Sequence, residues 1–268
     1  MTIAARTRLI AASIAVIAWA LITVFGSLAQ AGHGSLAELI SSRIALATPA
    51  AALFLLIVAR VAGWLDLGLN PPRPITSVKL FWLLGLYIGV LGTIAALTRE
   101  IAPTTLLIVA VNTAVVGFSE ELAFRGVLWG AARKAMPFWV GVLFVSGFFG
   151  GVHVMNALIT GELGQAGVQA LNAFLSGIAY LALRIRTRSL WPIMIGHWLW
   201  DLAVFANVSG AVAPTGTGNS YMGILLVAPI GLYGLWLLRK PEFRHIDDDE
   251  TARTMPALAT KTMKGPFS

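Results

Sequence analysis

The stretch from Thr104 to Ala132, TTLLIVAVNTAVVGFSEELAFRGVLWGAA, decides how the chain is read. It is apolar over a length that exceeds the roughly 20 residues a helix needs to cross lipid. Yet Glu120, Glu121 and Arg125 stand inside it. Leu107-Ile108-Val109-Ala110-Val111 precede the charges and Gly126-Val127-Leu128-Trp129 follow them, so they do not mark a helix end that has reached water. An ionisable group within a bilayer costs about 2.5 to 3.5 kcal/mol on insertion scales, so such groups face inward, pair with one another and mark function.

The rest of the chain is consistent with lipid as its solvent. Of 268 residues, 57% are hydrophobic and 12% charged, and the mean hydropathy is +0.81; soluble domains carry about 25% charged residues. Further apolar runs occur at about Leu9–Leu28, Ile44–Val61, Leu80–Leu97, Phe138–Ile159, Val168–Leu183, Leu190–Val208 and Tyr221–Leu238. Together with the first stretch they predict an all-α, polytopic transmembrane bundle of about eight helices. Turn chemistry separates them, as in Gly68-Leu69-Asn70-Pro71-Pro72-Arg73-Pro74, Gly161 to Gly167, and Pro214 to Asn219. Residues 1–240 are expected to form one transmembrane domain, with residues 241–268 a disordered cytoplasmic tail containing Asp247-Asp248-Asp249-Glu250.

The net charge of +7 does not imply a nucleic-acid partner, because the cations alternate between loops instead of forming one patch. Arg6 and Arg8, then Arg60, Arg73 and Lys79, then Arg133 and Lys134, then Arg184, Arg186 and Arg188, and finally Arg239 and Lys240 fall on one side. The other side has Arg43 and Arg99. The positive-inside rule then puts both termini in the cytoplasm. The first apolar run is longer than a signal-peptide core and is expected to be retained. Low Lys and high Ala, Gly and Trp fit a bacterial plasma membrane. With no Cys, a disulfide or thiolate ligand is excluded.

Of twelve acidic residues, Glu120, Glu121 and Asp201 lie in apolar helical stretches, as do His153 and His197 of four histidines. Glu121 and Arg125 are at i, i+4 spacing and can pair on one helix face, leaving Glu120 to point elsewhere. Phe149-Gly150-Gly151-Val152-His153 puts an aromatic one turn before a histidine, with glycines that admit a neighbouring helix or substrate. His197-Trp198-Leu199-Trp200-Asp201 is a second i, i+4 pair. Its tryptophans read as lipid or interface contacts. Clustered at one interior site, the three groups could satisfy each other.

E-E-x-x-x-R at Glu120 to Arg125, F-x-x-x-H at Phe149 to His153 and H-x-x-x-[ND] at His197 to Asp201, in that order, resemble the CPBP family of intramembrane endopeptidases, which includes CAAX proteases and bacteriocin-processing enzymes. The motif core runs from about Thr104 to Val208. The resemblance implies hydrolysis of a peptide bond in a membrane-associated substrate, either a prenylated CAAX-type protein or a leader peptide. Glu120 would activate the water with help from His153, His197 and Asp201 would stabilise the oxyanion, and Glu121, Arg125 and Phe149 would support them. Well-known members carry Asn where this chain has Asp201. An ionised Asp would repel an oxyanion, so Asp201 is either protonated, a partner that orients His197, or a metal ligand. No obligatory metal is expected; for Zn²⁺, the nitrogen and oxygen set would be Glu120, His153, His197 and Asp201. Expected partners are a peptide or lipidated protein and membrane lipid. A proton- or ion-coupled transporter and a non-proteolytic scaffold or immunity protein stand as alternatives.

Overall fold

Lipid cannot hydrogen-bond the backbone, so a chain this apolar must satisfy its peptide groups within helices. The computed structural model describes residues 2–209 and 218–244, and no strand occurs among them. The helices are α1 (Ile3–Ala31), α2 (Leu36–Ser42), α3 (Ala47–Val61), α4 (Trp82–Thr98), α5 (Pro103–Glu121), α6 (Trp129–Ala135), α7 (Phe138–His153), α8 (Ala157–Thr160), α9 (Leu163–Thr187), α10 (Trp191–Val208) and α11 (Gly218–Leu238). The eight expected apolar runs are helical over nearly all their length, though Thr104–Ala132 is divided among α5, a π turn and α6, and Phe138–Ile159 between α7 and α8, so the all-α bundle is as read from sequence. The 241–268 tail lies outside the described residues except for a short 3-10 turn at Pro241–Arg244, and Pro214 to Thr217 of the expected turn also lie outside them.

Local chemistry sets the helix ends. The Thr2 side chain accepts from Ala5 N at 3.2 Å and Ser35 accepts from Glu38 N at 3.2 Å, capping α1 and α2. Pro103 opens α5, where a missing N–H costs nothing. Gly161, at φ 74°, closes α8. Five of the helical segments are long and apolar enough to span a membrane, or six if the α2–α3 pair, bent by 88°, is one span. The described apolar part of α11 is shorter, and α10 gives up hydropathy to His197, Asp201 and Asn207.

In the bundle, α9 packs between α7 and α11, α10 packs between α4 and α5, and α1 packs on α3 and on the segment after α5. That segment, Leu122–Leu128, is a π-helical turn whose seven residues are all buried. The sequence predicts a continuous α-helix here. Trp19 meets Phe124 edge-on at 5.6 Å, the Tyr180 ring lies 5.4 Å from the Arg125 guanidinium and Leu190 lies against Gly126; π turns recur at functional sites.

Gly117 of α5 and Gly150 of α7 let helices approach closely. A Cβ on Gly117 would sit 2.9 Å from Trp198 N of α10, and one on Gly150 would sit 2.6 Å from Ala170 O of α9. Gly151, which was expected to share that task, has open space where a side chain would be.

At the end of the bundle where α1 begins, Asp66 gathers three cations: Arg8, Arg133 at 2.9 Å and Lys134 at 2.7 Å. Burial alone would raise its carboxyl pKa, but the hydrogen bonds and charges of Arg8 and Lys134 outweigh burial and hold it well below the usual 3.8. A depressed folded pKa contributes stability that is complete above the unfolded value and fades as pH falls toward the folded one. Asp66→Asn is therefore expected to cost about 2 kcal/mol. In thermal unfolding of the solubilised protein, the difference from wild type should be constant between about pH 5 and pH 8 and shrink below about pH 4.

Candidate active site

The site is assembled by three elements: the end of α5 with its π turn, the end of α7, and the middle of α10. Glu121 is completely buried, and its Oε1 is shared by two partners. Arg125 Nη1 donates to it at 3.0 Å, and His197 Nδ1 lies 2.8 Å away. A carboxylate paired with a guanidinium accepts only, so Nδ1 of His197 carries the proton. This fixes the ring and leaves Nε2 for chemistry. Nε2 lies 3.5 Å from Asp201 Oδ2 and 3.8 Å from Glu120 Oε2, distances that suit a bridging water or substrate atom better than a direct bond.

The expected Glu121–Arg125 pair is present, but Glu121 does more than hold helix register: it orients His197. The i, i+4 partner Asp201 faces the other ring nitrogen. Sequence spacing could not distinguish these because the Glu121 contact crosses from α5 to α10.

Arg125 is itself enclosed by aromatic rings. Its guanidinium lies 4.1 Å from the Phe149 ring centroid, 5.4 Å from that of Tyr180 and 5.9 Å from that of Phe124. Each ring face attracts the cation more strongly in the absence of water. Phe149 also meets the His153 ring edge-on at 4.8 Å and the His197 ring at 6.2 Å. The aromatic of F-x-x-x-H thus touches the cation and both histidines.

His153 bonds back to its own helix, Nδ1 to Phe149 O at 2.7 Å. A carbonyl only accepts, so Nδ1 carries a proton, and in the neutral ring Nε2 is the acceptor. Both histidines therefore carry a proton on Nδ1, held in one by a carboxylate and in the other by a backbone carbonyl.

Glu120, His153, His197 and Asp201 all line one cavity of about 200 Å³. Trp19, Thr23, Ser27, Thr48, Asn156 and Gln169 contribute to its wall. Among the described residues, no group of three or more His, Asp or Glu side chains is arranged to hold a metal ion. The Zn²⁺ set named from sequence shares the cavity without forming a coordination shell.

Sequence reading missed several residues that shape the site. Trp19 Nε1 donates to Ser119 Oγ at 2.7 Å, tying α1 to α5 beside Glu120. Tyr180 of α9 is buried with its ring 5.0 Å from that of His197. Neither carried a signal, because both are apolar-compatible residues in apolar runs. Asn112 donates to Ile40 O at 2.8 Å and Arg43 O at 2.7 Å and accepts from Ala45 N at 2.9 Å, anchoring the α2–α3 corner. A lone amide in LLIVAVNTAVV was a visible flag. Trp198, expected against lipid, instead donates to Ala110 O of α5 at 2.9 Å.

Residues 102–203 match the family model for Type II CAAX prenyl endopeptidase Rce1-like. That segment contains all three motifs and every residue that brings a carboxylate or imidazole to the cavity. No curated protein and no solved structure matches the chain.

Arg125→Met is expected to destabilise the fold by about 3 to 5 kcal/mol, because it strands the Glu121 charge in the core. The double variant Glu121→Leu with Arg125→Met removes both charges and should unfold at a higher temperature than Arg125→Met alone. Thermal unfolding of the detergent-solubilised variants measures both effects.

Proposed function

On the premise that the core of this membrane protein is Rce1-like, a family of proteases, we propose that the chain is an intramembrane endopeptidase that hydrolyses a peptide bond of a membrane-associated polypeptide. The carrying observation is the convergence of Glu120, His153, His197 and Asp201 from three helices on one cavity inside an apolar bundle.

In this reading a water molecule lies between Glu120 and the scissile carbonyl. Glu120 takes its proton as the oxygen adds to the carbonyl carbon, and the unprotonated Nε2 of His153 holds or accepts the second hydrogen. Negative charge develops on the carbonyl oxygen near His197 Nε2. His197 acts there as an imidazolium: Glu121 holds its Nδ1 proton, and the second proton, on Nε2, is already aimed by that contact, so little reorganisation is needed. When the C–N bond breaks, the proton held by Glu120 passes to the leaving amine, giving one carboxylate and one amine product.

Asp201 is 3.5 Å from His197 Nε2 and is assigned to the same oxyanion pocket as a protonated carboxyl. A hydroxyl there donates, whereas a carboxylate would repel. This also explains how an Asn could occupy the position, since its amide donates from a similar place.

The substrate class carried over from the family is the prenylated CAAX-type protein. A leader peptide of a membrane-associated precursor needs the same chemistry. We also propose that the protein lies in a bacterial plasma membrane with both termini cytoplasmic and needs no obligatory metal.

Purified protein reconstituted in vesicles should cleave members of a lipidated or transmembrane peptide library. Glu120→Gln and His153→Ala should each lower the rate by about 100-fold or more without shifting the thermal midpoint. Asp201→Asn should retain at least about ten times the activity of Asp201→Ala. Activity should survive exhaustive chelation. No cleavage of any peptide, together with Glu120-dependent proton flux into the vesicles, would sink the peptidase reading in favour of a transporter.

A further inference from the structure

The two ends of the bundle differ sharply in charge. α1 starts at one end, where α3, α6, α9 and α11 finish. Among the described residues, every lysine and arginine up to Lys240 lies at this end except Arg43, Arg99 and the buried Arg125.

The fold itself gathers these loops. Asp66 joins Arg8 to Arg133 and Lys134, and Leu190 N donates to Gly68 O at 2.7 Å. Arg73 N donates to Thr187 O at 2.9 Å. Arg73, Lys79, Arg186 and Arg188 surround a common hollow. The opposite end is equally well tied. Gly34 N reaches Ile159 O at 3.2 Å, Gln30 donates to Ile44 O at 2.8 Å, and Asn112 anchors the α2–α3 corner. Its fixed charges are Arg43 and Arg99 against Glu38, Glu100 and Glu162.

The cavity belongs to this second end. Its wall is the latter half of α1 from Trp19 to Ser27, α2, the first turn of α3, and the end of α7 with the residues after it. Gln169, near the start of α9, completes it. No wall residue comes from the basic loops. From Glu120 and His197 at mid-bundle the cavity therefore rises toward α2 and away from the cations.

The positive-inside rule places the basic end in the cytoplasm. We infer that the cavity mouth lies on the non-cytoplasmic side of the membrane, and that the substrate is the membrane-proximal segment of an exported or membrane-anchored polypeptide. The inference rests on the peptidase reading for the word substrate, and on charge and geometry for the side. It narrows that reading: a prenylated C-terminus displayed in the cytoplasm meets the basic end, which contributes no residue to the cavity wall. The cavity wall beyond the four candidate catalytic groups is uncharged, with Thr23, Ser27, Thr48, Asn156 and Gln169 among apolar side chains. It suits an extended, uncharged segment bound through its backbone.

The chain contains no cysteine, so single introduced thiols report orientation cleanly. Gly164→Cys places a thiol at the mouth end and Ala62→Cys one at the basic end. Both positions are exposed, and neither change alters a charge. In spheroplasts expressing the full chain, a membrane-impermeant maleimide should label Gly164→Cys to the same extent as after permeabilisation, and should label Ala62→Cys only after permeabilisation. The same cells would carry single-span reporters displaying one library of juxtamembrane segments on either side of the membrane. Cleavage should occur in the non-cytoplasmic display and be lost in Glu120→Gln.

Reversed or two-sided labelling, or Glu120-dependent cutting only of the cytoplasmic display, overturns the inference. Outward labelling with no Glu120-dependent cutting on either side overturns the peptidase reading and with it the substrate, while the orientation stands.

Discussion

One buried oxygen organises this molecule. Glu121 Oε1 accepts from Arg125 within its own helical segment and from His197 on another, so a single carboxylate settles both an ion pair and the orientation of an imidazole. In an apolar bundle neither charge could remain without the other. The His197 contact joins α5 to α10, and the aromatic cage of Phe124, Phe149 and Tyr180 around Arg125 brings in α7 and α9. The groups facing the cavity are positioned as a consequence. His197 is fixed through Nδ1, and Glu120, next to Glu121 in the chain, is directed into open space.

Such a network requires helices to come closer than ordinary side chains permit. Gly117 lets α5 meet the backbone of α10 directly, and Gly150 does the same for α7 against α9. In lipid, where burial of apolar surface gives little drive for helix association, close packing and interhelical hydrogen bonds carry more of the burden. The bonds from Trp19 to Ser119 and from Trp198 to Ala110 fit this pattern. What remains between the helices is a small cavity lined by two histidines whose Nδ1 atoms are held by fixed acceptors and by two carboxyl groups.

The charge pattern that orients a membrane protein and the chemistry of its site are usually treated as separate matters. Here they bear on each other, because the bundle has one end tied by Asp66 and its cations and another end into which the cavity rises.

Sequence alone determined the membrane solvent, the eight helical runs and the identity of the ionisable residues at the site. Those conclusions follow from composition and from the cost of placing charge in lipid, both of which are properties of residues one at a time. The i, i+4 pairing of Glu121 with Arg125 was also legible, since it is local to one helix. Only the tertiary structure decided that Glu121, and not Asp201, orients His197, that Trp19, Asn112 and Tyr180 help build the site, and that the cavity wall takes no residue from the basic loops. Each of these depends on which helices are neighbours and how they are rotated, and that is set by glycine contacts and shared hydrogen bonds between segments up to a hundred residues apart. Periodicity along a single helix carries no record of such contacts.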